Sequence, residues 1–157
     1  MERHESLRTN FVLGEQGDLL SVIQTVSMQP IAVRDLSVLT HVEREQALQT
    51  HLSEQCRVQF DLSRDVLLQS LLLKLSQDEH VLLVTMHHIA SDGWSIPVLL
   101  NELGALYQAR VAGQADTLAA PAIQYGDYAL WQRQWLQGEV LSNQLSYWEK
   151  TLTGIPQ

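Results

Sequence analysis

A single cysteine, Cys56, excludes an internal disulfide and suits a reducing compartment. No apolar run approaches the ~18 residues that mark a membrane-spanning helix, and no basic-then-apolar leader precedes the first polar motif. Positive charge is also scarce. Ten Lys and Arg, scattered singly, face eighteen Asp and Glu for a net charge of −8, which argues against a nucleic-acid surface. No internal repeat or low-complexity tract is visible. What these absences leave is a cytoplasmic globular polypeptide. At 157 residues, 45% hydrophobic and 18% charged, it is one domain's worth of chain and long enough to bury a core.

Against this background one cluster stands out. Met86-His87-His88-Ile89-Ala90-Ser91-Asp92-Gly93-Trp94-Ser95 follows the apolar run Val81-Leu82-Leu83-Val84-Thr85. A hydrophobic strand that delivers polar groups to its carboxyl end, beside a helix start, is a common way to build a site on α/β layers.

Periodicity predicts the elements around it. Leu7 to Leu13 alternates as a strand, Glu15 to Asp18 is turn chemistry, and Leu19 to Val26 is the returning strand. Ile31 to Leu36 is a further short strand. Val42 to about Arg57 is a helix with Leu48, Leu52 and Cys56 on one face, so Cys56 reads as packing. Phe60 to Asp65 is loop. Val66–Leu75 and Val81–Ile89 form an antiparallel hairpin with both faces covered. Ser95 caps a helix with Pro97 in its first turn, and Ile96, Leu99, Leu100, Leu103 and Leu106 make its buried stripe. Val111 to Ile123 is a linker, and a helical region runs from Gln124 to Leu152 with a break at Gly138. Strands and helices mixed in this way predict an α+β fold of mixed layers rather than a strict βαβ series.

The cluster resembles the HHxxxDG signature of the condensation domains of non-ribosomal peptide synthetases, with His87, His88, Asp92 and Gly93 at the fixed positions. Two further segments support the resemblance. Arg3 to Phe11 looks like RHExLRTxF, and Tyr125 to Gln132 looks like YxDYAxWQ; both lie in the family's order. Phe60-Asp61-Leu62 resembles another family element, with Gln59 and Val66 replacing the usual flanking prolines and loosening that loop. The resemblance implies a chloramphenicol-acetyltransferase-like fold. It also implies that residues 1–157 correspond to the amino-terminal lobe, with the family's opening segment and carboxyl-terminal lobe absent. Whether Met1 is an artificial start, a mispredicted start or the remnant of a broken gene stays open.

Neighbouring strand residues point to opposite faces, so His87 and His88 cannot readily share one ligand. A lone strand histidine is usually a satisfied core residue. The HxxxD spacing reverses that for His88, which the resemblance makes the catalytic histidine of the cleft, with His87 supporting it. A zinc site is the rival chemistry, but no third ligand sits at metal spacing. Asp92 is implied to be structural, paired with Arg8. Gly93 supplies turn freedom and an amide for a thioester carbonyl. Trp94 reads as core. Tyr125, Tyr128, Trp131 and Trp135 recur at helical spacing and read as packing, with Tyr125 or Trp131 the candidates for lining a cleft. His4, His41, His51 and His80 read as surface or motif-supporting residues.

The implied reaction is peptide-bond formation. An aminoacyl thioester on one carrier protein's phosphopantetheine attacks the donor thioester on another, and His88 takes a proton or holds the amine. No cofactor is bound directly. Donor and acceptor carrier proteins and an adenylation domain are the implied partners, with no nucleic acid or membrane. Self-association through an exposed inter-lobe face and inactivity of the isolated chain are expected. The alternatives are an HxxxD acyltransferase using a diffusible donor such as coenzyme A, and a non-catalytic remnant or scaffold. Epimerisation domains share the scaffold, but Asp-Gly-Trp-Ser resembles condensing members more.

Overall fold

The expected first strand begins late. In the computed structural model, which describes residues 1–25, 30–116 and 118–156, Glu5–Arg8 wind into a single 3-10 turn before β1 (Thr9–Leu13) starts. The turn is closed by the Thr9 hydroxyl, which donates to the Glu5 carbonyl at 2.7 Å, so Arg8 lies in the turn and not on a strand. β1 pairs antiparallel with β2 (Leu19–Ile23), Thr9 opposite Ile23 and Leu13 opposite Leu19. The hairpin turn needs its glycines. A Cβ at Gly14 would lie 2.5 Å from Asp18 Oδ1, and Gly17 has φ +81°. Val26, the expected end of the second strand, lies outside the described residues.

The second sheet is mixed, in the order β3-β4-β5. β3 (Ala32–Asp35) runs parallel to β4 (Leu68–Lys74), and α1 (His41–Gln55) lies between them in sequence, because parallel neighbours need a long crossover. β4 then pairs antiparallel with β5 (His80–Met86), Leu68 opposite Met86 and Leu71 opposite Leu83. One βαβ unit is thus joined to a hairpin, an α+β arrangement. Thr40 and Glu43 form a reciprocal capping box that starts α1. Asp35 ends β3, where the Ser37 hydroxyl, Lys74 and the Ser37 N–H lower its pKa to about 2.

The core of the sheet is Leu36, Leu71, Leu73, Leu75 and Leu83, with Leu39, Ala47, Leu48 and Val81 packed on it. Ala47 and Leu48 come from α1, so this helix covers one face. The expectation of two covered faces fails: Leu82 and Val84 are exposed, because strand neighbours alternate and α1 covers only the odd-numbered side of β5. Leu52 and Cys56, towards the end of α1, also stay exposed and lie outside the core cluster.

After β5 come α2 (Ser95–Val111), α3 (Tyr125–Trp135) and α4 (Gly138–Leu152). Gly138, with φ +54°, marks the expected break. Residues 1–120 form one compact unit and residues 121–157 another. No residue of α2 is buried; Ile96, Leu100, Leu103 and Leu106 of its expected buried stripe are exposed, because no described element packs broadly against them. No helix among the described residues is long and apolar enough to cross a membrane.

Leu73 is fully buried, with 0% exposure, at the centre of the core. Leu73→Ala should therefore cost about 2–5 kcal/mol of unfolding free energy. Leu82→Ala, on the open face, should cost clearly less. Urea titrations of both variants check this, and equal losses would mean that the second face is covered.

Candidate functional site

The site is built by the β4–β5 ladder. The pairing continues one step past Met86, where the His87 N–H donates to the Leu67 carbonyl at 3.0 Å. Continuing alternation sends His87 to the face of Leu83 and Thr85, the face α1 covers, where the Thr85 hydroxyl donates to Gln55 Oε1 at 2.8 Å. His87 is half-buried there, its ring edge-on to Phe60 with centroids 6.0 Å apart. His88, in the turn that follows, is exposed. Its ring holds no hydrogen bond with any described residue, and its charge lies close enough to Asp92 to help lower that carboxyl's pKa. His87 is thus the packed member of the pair and His88 the exposed one.

Asp92 is where the structure departs from expectation. Its Oδ1 accepts the Ser95 N–H at 2.8 Å and the Trp94 N–H at 3.1 Å, and the Ser95 hydroxyl accepts the Asp92 N–H at 2.7 Å. This is a reciprocal cap on the first turn of α2. The bonds from the Ser95 side chain and N–H do most to hold the Asp92 carboxyl below the usual value, the Trp94 N–H and His88 less. Arg8 is engaged elsewhere: it donates to the Gln24 carbonyl at 2.8 Å and pairs with Glu5 at 3.6 Å, while its buried Nε has no hydrogen-bond partner among the described residues. The expected Asp92–Arg8 pair is not formed. The physical reason is proximity along the chain: the helix start offers Asp92 two N–H groups within three residues, and Arg8 meets Glu5 within its own turn.

Gly93 needs no special backbone here. Its φ is ordinary and an added Cβ would meet nothing, so the expected turn freedom is not what this glycine supplies. It leaves open space in the turn two residues before α2 begins. Trp94 is 86% exposed and is not core. Ser95 serves the cap as Asp92's partner. Tyr125 and Trp131 lie on α3, where Tyr125, Tyr128, Trp131 and Trp135 form a ladder of rings with centroids 5.6–5.9 Å apart. These rings pack on one another and stay exposed, so the expected burial is not found.

Two residues were not singled out by the sequence. Glu102 of α2 receives Arg3 Nε at 2.9 Å and contacts His4 Nε2 at 2.5 Å, tying the first motif to the helix that Asp92 starts. Partial burial pushes its carboxyl up, but the His4 and Arg3 contacts outweigh this and lower it. Asn10, 2% exposed, donates to the carbonyls of Leu62 and Asp65 at 3.2 and 2.8 Å and anchors the Phe60–Asp65 loop. A buried amide in an alternating strand was the available signal. Among the described residues no three His, Cys, Asp or Glu side chains cluster as a metal site.

Because Asp92 titrates lower folded than its ordinary 3.8, its contribution is complete above that value and is lost as pH falls through the folded pKa. Asp92→Asn should destabilise the chain at neutral pH, with the gap to the parent narrowing below about pH 4 in acid-unfolding curves. In double-mutant cycles Asp92→Ala and Ser95→Ala should be non-additive, whereas Asp92→Ala and Arg8→Ala should add. Coupling between Asp92 and Arg8 would restore the ion pair.

Comparison with known proteins places this geometry. The family model described as Condensation domain matches residues 1–157. One of the linear gramicidin synthase polypeptides from Brevibacillus parabrevis is 46% identical over 153 residues, 97% of this chain and 3% of that polypeptide. The crystal structure of the X-domain from teicoplanin biosynthesis superposes with a TM-score of 0.84 at 35% identity, covering 99% of this chain and 34% of that one. The starter condensation domain of rhizomide synthetase, at 18% identity and a TM-score of 0.85, shares the fold over 99% of this chain and 35% of its own. The chain thus spans about a third of these solved domains and a few per cent of the synthetases.

Proposed function

This chain belongs to the condensation-domain family of non-ribosomal peptide synthetases, and on that premise we propose that it carries the reacting histidine of a peptide-bond-forming centre. The observation that carries the reading is the division of the paired histidines: His87 is held against Phe60, and His88 is exposed, its ring without a hydrogen bond to any described residue, near the Asp92–Ser95 bonds that lead into α2.

In this reading an aminoacyl thioester on one carrier's phosphopantetheine presents its α-amino group near His88. Such amines titrate near 7.7–8.0, so a useful fraction is unprotonated at neutral pH. The amine nitrogen attacks the donor thioester carbonyl, the C–N bond forms, the C–S bond breaks and the donor's pantetheine thiolate leaves. His88 accepts the proton lost by the nitrogen or holds the amine in line. The Gly93 N–H donates to the thioester oxygen in this reading. Tyr125 and Trp131 remain candidates for lining the substrate cleft. Donor and acceptor carriers and an adenylation domain are the partners, in the cytoplasm. A coenzyme A-dependent acyltransferase is disfavoured by the synthetase relatives. A non-catalytic docking role is a second reading, favoured by the X-domain structure solved in complex with OxyB, which is 36% identical to this chain.

His88→Ala, placed in a complete condensation domain bearing these residues, should lower single-turnover peptide formation by roughly 10²-fold or more. A near-parental rate would favour the docking role. His88 is exposed in the 157-residue chain, and this chain tested alone should yield no detectable peptide from loaded carriers if orientation of the two substrates carries much of the rate. Mass spectrometry of the carriers reads the outcome, and turnover at a full domain's rate would show that the reacting group is misplaced.

A further inference from the structure

The ring of His87 takes no part in the chemistry just described, yet its Nδ1 and both of its backbone polar groups are engaged. Its Nδ1 accepts the Ile89 N–H at 3.0 Å. Its backbone N–H continues the β ladder to Leu67, and its carbonyl accepts the Ala90 N–H at 3.0 Å and the Ser91 hydroxyl at 3.4 Å. Residues 87–91 are thus a turn organised around one residue, between the last residue of β5 and the Asp92 cap. His88 is the second residue of that turn.

A side-chain acceptor bonded to the N–H two residues on is the geometry of an Asx-turn, ordinarily made by Asn or Asp. Here imidazole Nδ1 stands where an asparagine Oδ1 would. An Nδ1 that accepts obliges a neutral ring with its proton on Nε2. Phe60, perpendicular to the ring at 84°, holds the ring plane. We propose that His87 is a positioning residue whose Nε2–H tautomer, by binding the Ile89 N–H, sets the turn that presents the His88 ring to the substrate. This rests on the reading of His88 as the reacting group. If His87 instead served only as packing against Phe60, the identity of its acceptor atom would not matter.

Asparagine and glutamine separate the two cases. Asn places its oxygen at the Nδ1 position and keeps the turn bond, whereas Gln places its oxygen at the Nε2 position and loses it. In a complete condensation domain, His87→Asn should keep close to the parental rate of single-turnover peptide formation, and His87→Gln should fall by roughly 10²-fold. Equal rates for the two variants, each with parental thermal unfolding, would overturn the proposal. Ring-nitrogen NMR of the 157-residue chain tests it without any substitution. His87 should show an unprotonated Nδ1 and a protonated Nε2, and the opposite tautomer would overturn the proposal even where a variant fails to fold. His88→Ala run in parallel separates the two readings. If it keeps the parental rate, the reading of His88 fails and positioning fails with it, while the ring spectrum still reports the turn.

Discussion

The antiparallel register of β4 and β5, with Leu71 opposite Leu83 and Leu68 opposite Met86, fixes the strand end from which His87 and His88 leave the sheet. In a strand the side-chain period is two, so a slip of one residue would exchange the faces of every side chain beyond it. It would turn Leu83 out of the core, break the Thr85 contact with α1 and put His88 against Phe60. The leucines that stabilise the sheet therefore also specify the site. Burial of Leu71, Leu73 and Leu83 is the driving force, and the orientation of His87 and His88 is its geometric consequence.

From that fixed strand end the polypeptide reaches α2 in a few residues, tied at His87 and again at Asp92. His87 organises the first half of the connection and the Asp92–Ser95 cap the second. Arg3 and His4 then hold α2 through Glu102, so the first motif and the histidine motif meet at the helix rather than at Asp92. A polar site on so short a segment needs this density of local bonds. Loops without them carry greater conformational freedom and place side chains less well.

Much of this was legible in the chain. The β4–β5 hairpin, the α1 helix, the helix start at Ser95 and the break at Gly138 all follow from periodicity and turn chemistry, which depend on neighbours a few residues away. The separation of a packed His87 from an exposed His88 fits the alternation of the strand they follow. Those features belong to the sequence because their causes are local.

Tertiary structure decided the partners and the coverage. Asp92 and Arg8 are both charged and both within motifs, but which groups meet depends on where separate segments come to rest, and each found a nearer partner first. Glu102 carries no local signal of its role, because Arg3 and His4 lie about a hundred residues away. Apolar stripes on β5 and α2 announce faces that bury well, but whether something covers them depends on the packing of other elements. The local spacing of residues could set the direction of each side chain; only the packed chain could determine what that side chain touches.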